Sequence, residues 1–255
     1  MLLEDKTAVI YAAGGAIGAA VARAFAREGA RVLLTGRGVA KVEAVAAGIV
    51  AAGGAAEAAQ VDALDEAAVE EHLARVGTVD ISFNAIGPGA APDRKPLTEL
   101  GVDAFTRPLA FYARSNFITA TAAARRMSGG VILTLTAVPA RQPAPQTGGQ
   151  GAAWAAVEAF TRLLALEVGP AGIRVVCLRA HAIPETPLIE ANFATASQAA
   201  GVTAAAWQAR LEQTTLLKRL PTLAEVADTA AFVASDRAGA MTATVVNLSA
   251  GGIVD

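Results

Sequence analysis

The chain has 255 residues, of which 54% are hydrophobic and 17% charged, and its formal net charge is −2. This length and composition favour a globular protein with a large buried core, and the charge argues against nucleic acid or an anionic membrane as the main partner. One cysteine and two distant histidines predict neither a disulfide framework nor a metal site.

The first thirty residues predict a strand, a tight turn and a helix. An apolar run at residues 8–11 ends in small residues at 12–16, and a helical pattern follows until Gly29. This order opens a dinucleotide-binding βαβ unit, in which the unpaired N–H groups of the helix N-terminus bind a pyrophosphate. The glycine motif is incomplete, since its three glycine positions read Ala12, Ala16 and Gly18, with Gly14 and Gly15 between them. A plain strand-to-helix turn is the alternative.

Strand and helix patterns alternate to the end of the chain. They predict a single α/β domain over residues 1–255, a Rossmann-type doubly wound parallel sheet with helices on both faces. The later strands are expected at 31–35, 56–61, 79–86, 130–138, 173–179 and 244–248, and the helices at 39–52, 65–76, 102–127, 152–168 and 223–235. Residues 184–217 are predicted as an inserted helical pair that forms a substrate lid. Without a membrane span or a signal peptide, we expect a soluble, cytoplasmic protein.

Ligands of open parallel sheets bind beyond the carboxyl ends of the strands, near the point where the strand order reverses. The strand pattern places six short stretches at that edge. These are residues 12–18, 36–37, 62–63, 84–87, 136–141 and 179–183. We therefore expect the functional site among these residues.

The chain resembles the short-chain dehydrogenase/reductase family over nearly its whole length. The matching segments are Asp62-Ala63, the stretch DISFNAIG at 80–87, GIRV at 172–175, and the segments 183–188, 218–222, 225–227, 232–235 and 247–252. The resemblance implies a Rossmann fold, a nicotinamide cofactor, a small-molecule substrate, and a homotetramer or homodimer formed through the two long helices.

The resemblance also implies which residues bind the cofactor. They are Gly14, Gly15, Ile17, Gly18, Arg37, Asp62, Ala63, Asn84, Ala85, Ile86 and Ile183. Members of the family that use NAD have an Asp at the end of the second strand, which holds the ribose hydroxyls. Here that position is Gly36, followed by Arg37, whose guanidinium can pair with a 2′-phosphate. We expect NADP(H) rather than NAD(H); the alternative for Arg37 is a surface arginine on a turn.

The catalytic positions depart from the family pattern. Aligned on the helix at 157–167, Gln150 replaces the family's catalytic Tyr and Trp154 replaces the Lys four residues later. The Ser position is Ala137, beside Thr136, and the helix position of the family's Asn is Tyr112 or, one turn later, Asn116. Glutamine is no general acid at neutral pH and tryptophan supplies no cation, so the standard mechanism is not expected.

Three residues are candidates for other chemistry: Thr136, Gln150 and His181. Only His181 has an unperturbed pKa suited to proton transfer at neutral pH. The alternatives are structural: a packed strand threonine and a loop histidine without a chemical role. Further expectations are a buried Tyr112, an inert buried thiol at Cys177, a solvated His72, and Arg141 and Arg179 that either bind an anionic substrate group or pair elsewhere.

Two functions of different classes follow. The first is an NADP(H)-dependent oxidoreductase with a non-standard active site, which transfers hydride to an activated C=C or C=N bond while water, Thr136 or His181 handles the proton. The second is a catalytically silent nucleotide-binding or interaction protein on the same fold. A third possibility is lost cofactor binding, because Ala12 and Ala16 bring methyl groups to positions where the motif has glycine.

Overall fold

The computed structural model describes residues 1–87 and 95–254, which form a seven-stranded parallel sheet with helices on both faces. The strands are β1 Thr7–Tyr11, β2 Arg31–Gly36, β3 Ala55–Gln60, β4 Ile81–Asn84, β5 Gly130–Ala137, β6 Ile173–Ala180 and β7 Thr244–Leu248. Their order is β3-β2-β1-β4-β5-β6-β7, so the direction of winding reverses between β1 and β4. The predicted doubly wound α/β fold is confirmed.

The helices alternate with the strands along the chain. They are α1 Ala16–Arg27, α2 Val39–Ala51, α3 Glu66–Val76, α4 Val102–Ala124, α5 Gln150–Val168, α6 Pro187–Ala199, α7 Ala204–Gln213 and α8 Leu223–Ala234. The pair α6 and α7 is the helical insertion expected at 184–217. Residues 88–94, between β4 and α4, lie outside the described residues. No helix of the described chain is long and apolar enough to cross a bilayer.

Two apolar layers hold the helices against the sheet. On one face, Ala8 and Ile10 of β1 belong to a core shared with α1, α2 and α8. On the other face, Val9 of the same strand packs with residues of α3, α4 and α5. Because successive strand side chains point to opposite faces, a sheet covered on both sides needs nearly continuous apolar strands. This explains the uninterrupted runs in β1 and β6.

The prediction that His72 is solvated is wrong. His72 is 7% exposed and shares the buried stripe of α3 with Val69 and Leu73. The spacing of three and four residues puts all three side chains on one helical face. Burial lowers the pKa of His72, with a smaller contribution from Arg75.

Arg174, within the GIRV segment at 172–175, has a structural role. Its guanidinium donates hydrogen bonds to the carbonyl oxygens of Val233 (3.0 Å), Ser235 (3.1 Å) and Met241 (3.2 Å). These carbonyls belong to the end of α8 and the turn after it, where helical carbonyls lack helical partners. Arg174 therefore fastens α8 to β6 at the edge of the sheet opposite the candidate site.

Candidate cofactor and active site

The turn between β1 and α1 has the shape of a phosphate-binding turn, although two of the motif's glycine positions, Ala12 and Ala16, are alanines. Ala12 adopts φ 59°, a left-handed conformation that costs a non-glycine residue about 1–2 kcal/mol. A Cβ at Gly18 would lie 2.5 Å from the Ala12 carbonyl oxygen, so only glycine fits there. Ala16 is the first residue of α1 and needs no positive φ.

The N-terminus of α1 is open to an anion. Gly15 is its N-cap residue, no side chain caps the first N–H groups, and the first turn carries no acidic residue. The positive end of the helix dipole and these N–H groups favour a phosphate. The described residues of this turn therefore fit the pyrophosphate of a dinucleotide.

The ends of β3 and β4 carry the next two predicted residues. The Asp62 carboxylate accepts a hydrogen bond from the Leu64 N–H at 3.0 Å, which fixes the loop after β3. Asn84 is buried; its amide donates to the Thr119 hydroxyl and accepts from the Ile86 N–H, each at 3.0 Å. Since Asn84 pairs in register with Tyr11, the segment 84–86 lies directly beside the β1–α1 turn.

Two more predicted cofactor residues meet in one apolar cluster. Ile183, after β6, is 2% exposed and clusters with Ala180 and Val226. Ile17, from the first turn of α1, packs against this cluster. The structure thus joins the loop after β6 to the phosphate turn, although 166 residues separate the two positions.

The segment after β2 carries exposed positive charge. Arg37 has an exposed side chain, and its carbonyl accepts a hydrogen bond from Gln60 at 3.1 Å. A residue that the sequence did not single out lies beside the turn: a Cβ built at Gly14 would be 2.9 Å from the Cβ of Lys41. The position of Lys41 depends on how α2 packs against the turn, which no local pattern encodes.

A buried ion pair lies beneath the ends of β5 and β6. The Arg179 guanidinium donates to both Glu158 oxygens, at 2.8 and 2.9 Å, and both residues are at most 5% exposed. Of the two alternatives for Arg179, pairing within the protein is confirmed. The Thr136 hydroxyl donates to Glu158 at 3.1 Å and is 3% exposed, so its only proton is already engaged. Cys177, in the same cluster, is buried and burial raises its thiol pKa to about 11.

Gln150 and Trp154 occupy the first turns of α5. Gln150 is the first residue of the helix and half-buried, and within the described part of the chain its side-chain amide makes no hydrogen bond. Trp154 packs against Tyr112 of α4, with ring centroids 5.9 Å apart. Tyr112 is 2% exposed, as expected, and burial raises its pKa above the usual range. Asn116, one turn later, donates its amide to the Tyr112 carbonyl at 2.9 Å.

His181 follows β6 and is held as a neutral imidazole. Its Nδ1 accepts the Ala182 N–H at 2.6 Å, so a proton on the neutral ring belongs to Nε2. Burial lowers the pKa of His181, which also favours the neutral form. A Cβ at Gly252 would lie 2.7 Å from the ring, so the C-terminal loop covers one side of it. His181 can therefore donate a hydrogen bond through Nε2.

A cleft of about 780 Å³ lies between the loop after β5, the start of α5 and the N-terminal part of α4. Its lining is mainly apolar and includes Leu97, Phe105, Pro139, Arg141, Gln146 and Ala155. The loop is held closely, because a Cβ at Gly149 would lie 1.9 Å from the Phe105 carbonyl oxygen. A cleft of this size suits a small molecule with an apolar body.

Known proteins resemble this chain over most of its length. The enoyl-(acyl carrier protein) reductase family matches residues 12–252. The uncharacterized oxidoreductase YxbG of Bacillus subtilis is 31% identical over 98% of this chain and 91% of its own length. The peroxisomal 2,4-dienoyl-CoA reductase of Mus musculus is 32% identical over 72% of this chain and 65% of its own.

Solved structures of short-chain dehydrogenases/reductases also resemble this chain. A short-chain dehydrogenase/reductase from Serratia marcescens superposes with a TM-score of 0.85 at 27% identity, covering 99% of each chain. The strand order, the phosphate turn and the matched length all agree with this likeness. The chain belongs to the short-chain dehydrogenase/reductase family, an oxidoreductase family that uses a nicotinamide cofactor.

Proposed function

We propose that the protein is an NADP(H)-dependent oxidoreductase that reduces an activated C=C or C=N bond of a small molecule. The observation that carries this proposal is the β1–α1 turn, which keeps its left-handed residue and its open helix N-terminus although Ala12 replaces glycine. A strained turn is retained where it is part of the function. The likeness to enoyl and dienoyl reductases favours C=C over C=N as the target.

The cofactor would be held by the residues at the carboxyl edge of the sheet. Gly14 and Gly15 would face the pyrophosphate, Asp62 and Ala63 the adenine, and the segment 84–86 with Ile183 the nicotinamide half. Arg37 would pair with the 2′-phosphate, which is the basis for preferring NADP(H). When bound, NADPH supplies the hydride. The protein contributes position, orientation and exclusion of water.

Gln150 would stabilise the charge that develops on the substrate. Its amide N–H donates a hydrogen bond to the substrate's carbonyl oxygen or imine nitrogen without giving up the proton. The proton would then come from water, which the neutral Nε2–H of His181 would position by donating a hydrogen bond to its oxygen. Thr136 would not handle the proton, because its hydroxyl already donates to Glu158, and its role would be to pack beside the site. An activated C=C bond needs less acid catalysis than a ketone, which suits a site without the family's Tyr and Lys.

Turnover with defined acceptors tests this proposal. NADPH oxidation is measured with an α,β-unsaturated ketone, a cyclic imine and a simple ketone. We expect turnover with the activated acceptors, and a kcat about 100-fold lower for Gln150→Ala, the effect of removing one oxyanion donor. Gln150→Glu keeps the shape but loses the donor and should be equally slow, while both variants bind NADPH normally. Bound NADPH without turnover of any acceptor would contradict the enzyme proposal.

A silent nucleotide-binding protein is the second candidate, and one observation favours it. Trp154, which aligns with the family's Lys, forms an aromatic pair with Tyr112, one of the two residues that align with its Asn. Such a pair fills space and cannot supply a cation. This function would show NADPH binding without hydride transfer. For either function we propose a homotetramer or homodimer in the cytoplasm.

A further inference from the structure

Lys41 lies directly against the candidate phosphate turn. A Cβ at Gly14 would lie 2.9 Å from the Lys41 Cβ and 3.6 Å from its carbonyl carbon. The first turn of α2 is therefore packed onto the β1–α1 turn, and the Lys41 side chain begins at its contact with Gly14. Lys41 is the third residue of α2, and its side chain is exposed.

The positive charge around this position is uncompensated. Across residues 1–87 and 95–254, neither Arg37 nor Lys41 makes a side-chain hydrogen bond or an ion pair. The first turn of α2 contains no acidic residue, and its N-cap residue Gly38 offers no side chain. The helix dipole adds further positive potential at the same end. Two exposed cations and the N-terminus of α2 therefore lie in the six-residue segment 36–41, which follows β2 and packs against Gly14.

We propose that Lys41 is a second specificity-determining residue, which holds the 2′-phosphate of NADP(H) together with Arg37. The inference rests on the proposed function. A phosphate monoester carries about −1.5 to −2 charges at pH 7, so a single arginine neutralises it only in part. The planar Arg37 guanidinium suits bidentate pairing, whereas the Lys41 ammonium adds a flexible point charge four residues later in the same segment. NAD(H) has no 2′-phosphate with which Arg37 or Lys41 could pair.

Adenosine 2′,5′-bisphosphate and 5′-AMP test this role without any turnover, because neither contains nicotinamide. Calorimetric titration of the full chain gives both affinities for wild type, Arg37→Gln, Lys41→Gln and Lys41→Arg. We expect Lys41→Gln to weaken the bisphosphate about tenfold, the loss of one hydrogen bond to a charged group. Its affinity for 5′-AMP should not change, and Lys41→Arg should retain most of the binding.

Lys6→Gln is the matched control, since it removes the same charge at the opposite edge of the sheet, where Lys6 pairs with the exposed Asp236. It should alter neither affinity. Raising the salt concentration should shrink the effect of Lys41→Gln, because exposed charges are screened. If Lys41→Gln changes neither affinity or both equally while Arg37→Gln is selective, the inference is wrong and the NADP(H) proposal stands. If the wild type does not prefer the bisphosphate, the cofactor preference and the role of Lys41 both fail.

Discussion

At the scale of single residues, Ala12 combines strain with a place in the candidate cofactor turn. Its φ of 59° is one that glycine adopts freely and that other residues adopt at a cost. The Ala12 carbonyl accepts the Gly15 N–H at 3.0 Å, so the turn cannot relax without losing this bond. The strain is therefore part of the geometry that places Gly14 and Gly15 before α1.

Ala12→Gly should stabilise the protein. Removing the strain stabilises the folded state by about 1–2 kcal/mol. The greater conformational freedom of glycine in the unfolded chain opposes folding by about 0.5–1 kcal/mol. We expect a net gain of up to about 1 kcal/mol in the free energy of unfolding, measured by urea denaturation. Ala13→Gly, which deletes a fully buried methyl group at a negative φ, should destabilise. A loss of stability in Ala12→Gly would contradict the account.

His72 should make stability depend on pH. Burial lowers its pKa below the unfolded value of about 6.5, so the unfolded chain binds the proton more readily. Its contribution is complete above pH 6.5 and is lost as the pH falls below that value. We expect the stability of His72→Leu relative to wild type to improve steadily from pH 7 to pH 5 in urea denaturation. If the stability difference between His72→Leu and wild type is constant from pH 7 to pH 5, burial does not lower the pKa of His72.

At the scale of elements, the buried Glu158–Arg179 pair joins α5 to β6. Both side chains are at most 7% exposed, and the Thr136 hydroxyl of β5 donates to the same carboxylate. Breaking such a pair leaves a buried charge without its partner, whereas removing both charges is often nearly neutral. The pair therefore fixes the relative position of three elements that end at the candidate site.

Glu158→Gln should destabilise the protein strongly. We expect a loss of about 3–5 kcal/mol in the free energy of unfolding, since the substitution removes the buried carboxylate charge with which the Arg179 guanidinium pairs. The double variant Glu158→Leu with Arg179→Met should recover most of this stability. Chemical denaturation of both variants measures the effect. If the single variant unfolds at the wild-type midpoint, the pair does not carry the role given to it here.

The order and type of the elements are predictable because they follow from local patterns. Periodicity and turn residues predict each strand to within two residues and most helix ends to within three: β4 is shorter than 79–86, α4 ends at Ala124 rather than 127, and α7 ends at Gln213, four residues before the expected end of the helical pair. The place of the candidate cofactor residues in the fold was predictable for the same reason, since parallel strands bring their carboxyl ends to one edge; their binding role stays a prediction. Within the described chain, they do meet there.

Contacts between distant segments were not predictable. Glu158 lies 21 residues from Arg179 and 22 from Thr136, and nothing in either segment indicates the pairing. Lys41 meets Gly14 only because α2 packs against the turn. The prediction of a solvated His72 is wrong because it rests on the charged residues of α3, whereas the spacing of His72 from Val69 and Leu73 places it on the buried face of the helix.

At the scale of the whole molecule, the outer face of α4 and α5 is unusually apolar for a surface. Phe117, Leu163 and Leu166 are 55%, 56% and 76% exposed, and the Phe117 ring lies 6.3 Å from that of Phe160. A further cleft of about 350 Å³ runs between the two helices, and aromatic rings line it. Exposed apolar side chains grouped on one face are typical of protein–protein interfaces, which is why we propose this face as the contact of the oligomer.

Phe117→Glu combined with Leu163→Glu should dissociate the proposed oligomer. Light scattering after size-exclusion chromatography should give a dimer or tetramer for wild type and a smaller species for the variant, with far-UV circular dichroism unchanged. Val50→Glu is the control: it alters an exposed apolar residue of α2, 55% exposed, away from this face. A monomeric wild type, or an oligomer that survives the double substitution, would contradict the interface.

We infer that the carboxyl edge of the sheet, where the β1–α1 turn lies, binds NADP(H). The most direct measurement is a titration of the purified protein with NADPH and with NADH, following nicotinamide fluorescence. The account predicts micromolar binding of NADPH and much weaker binding of NADH, a difference that shrinks in Arg37→Gln. Absence of binding of either nucleotide at millimolar concentration would contradict both the oxidoreductase and the silent nucleotide-binding proposals.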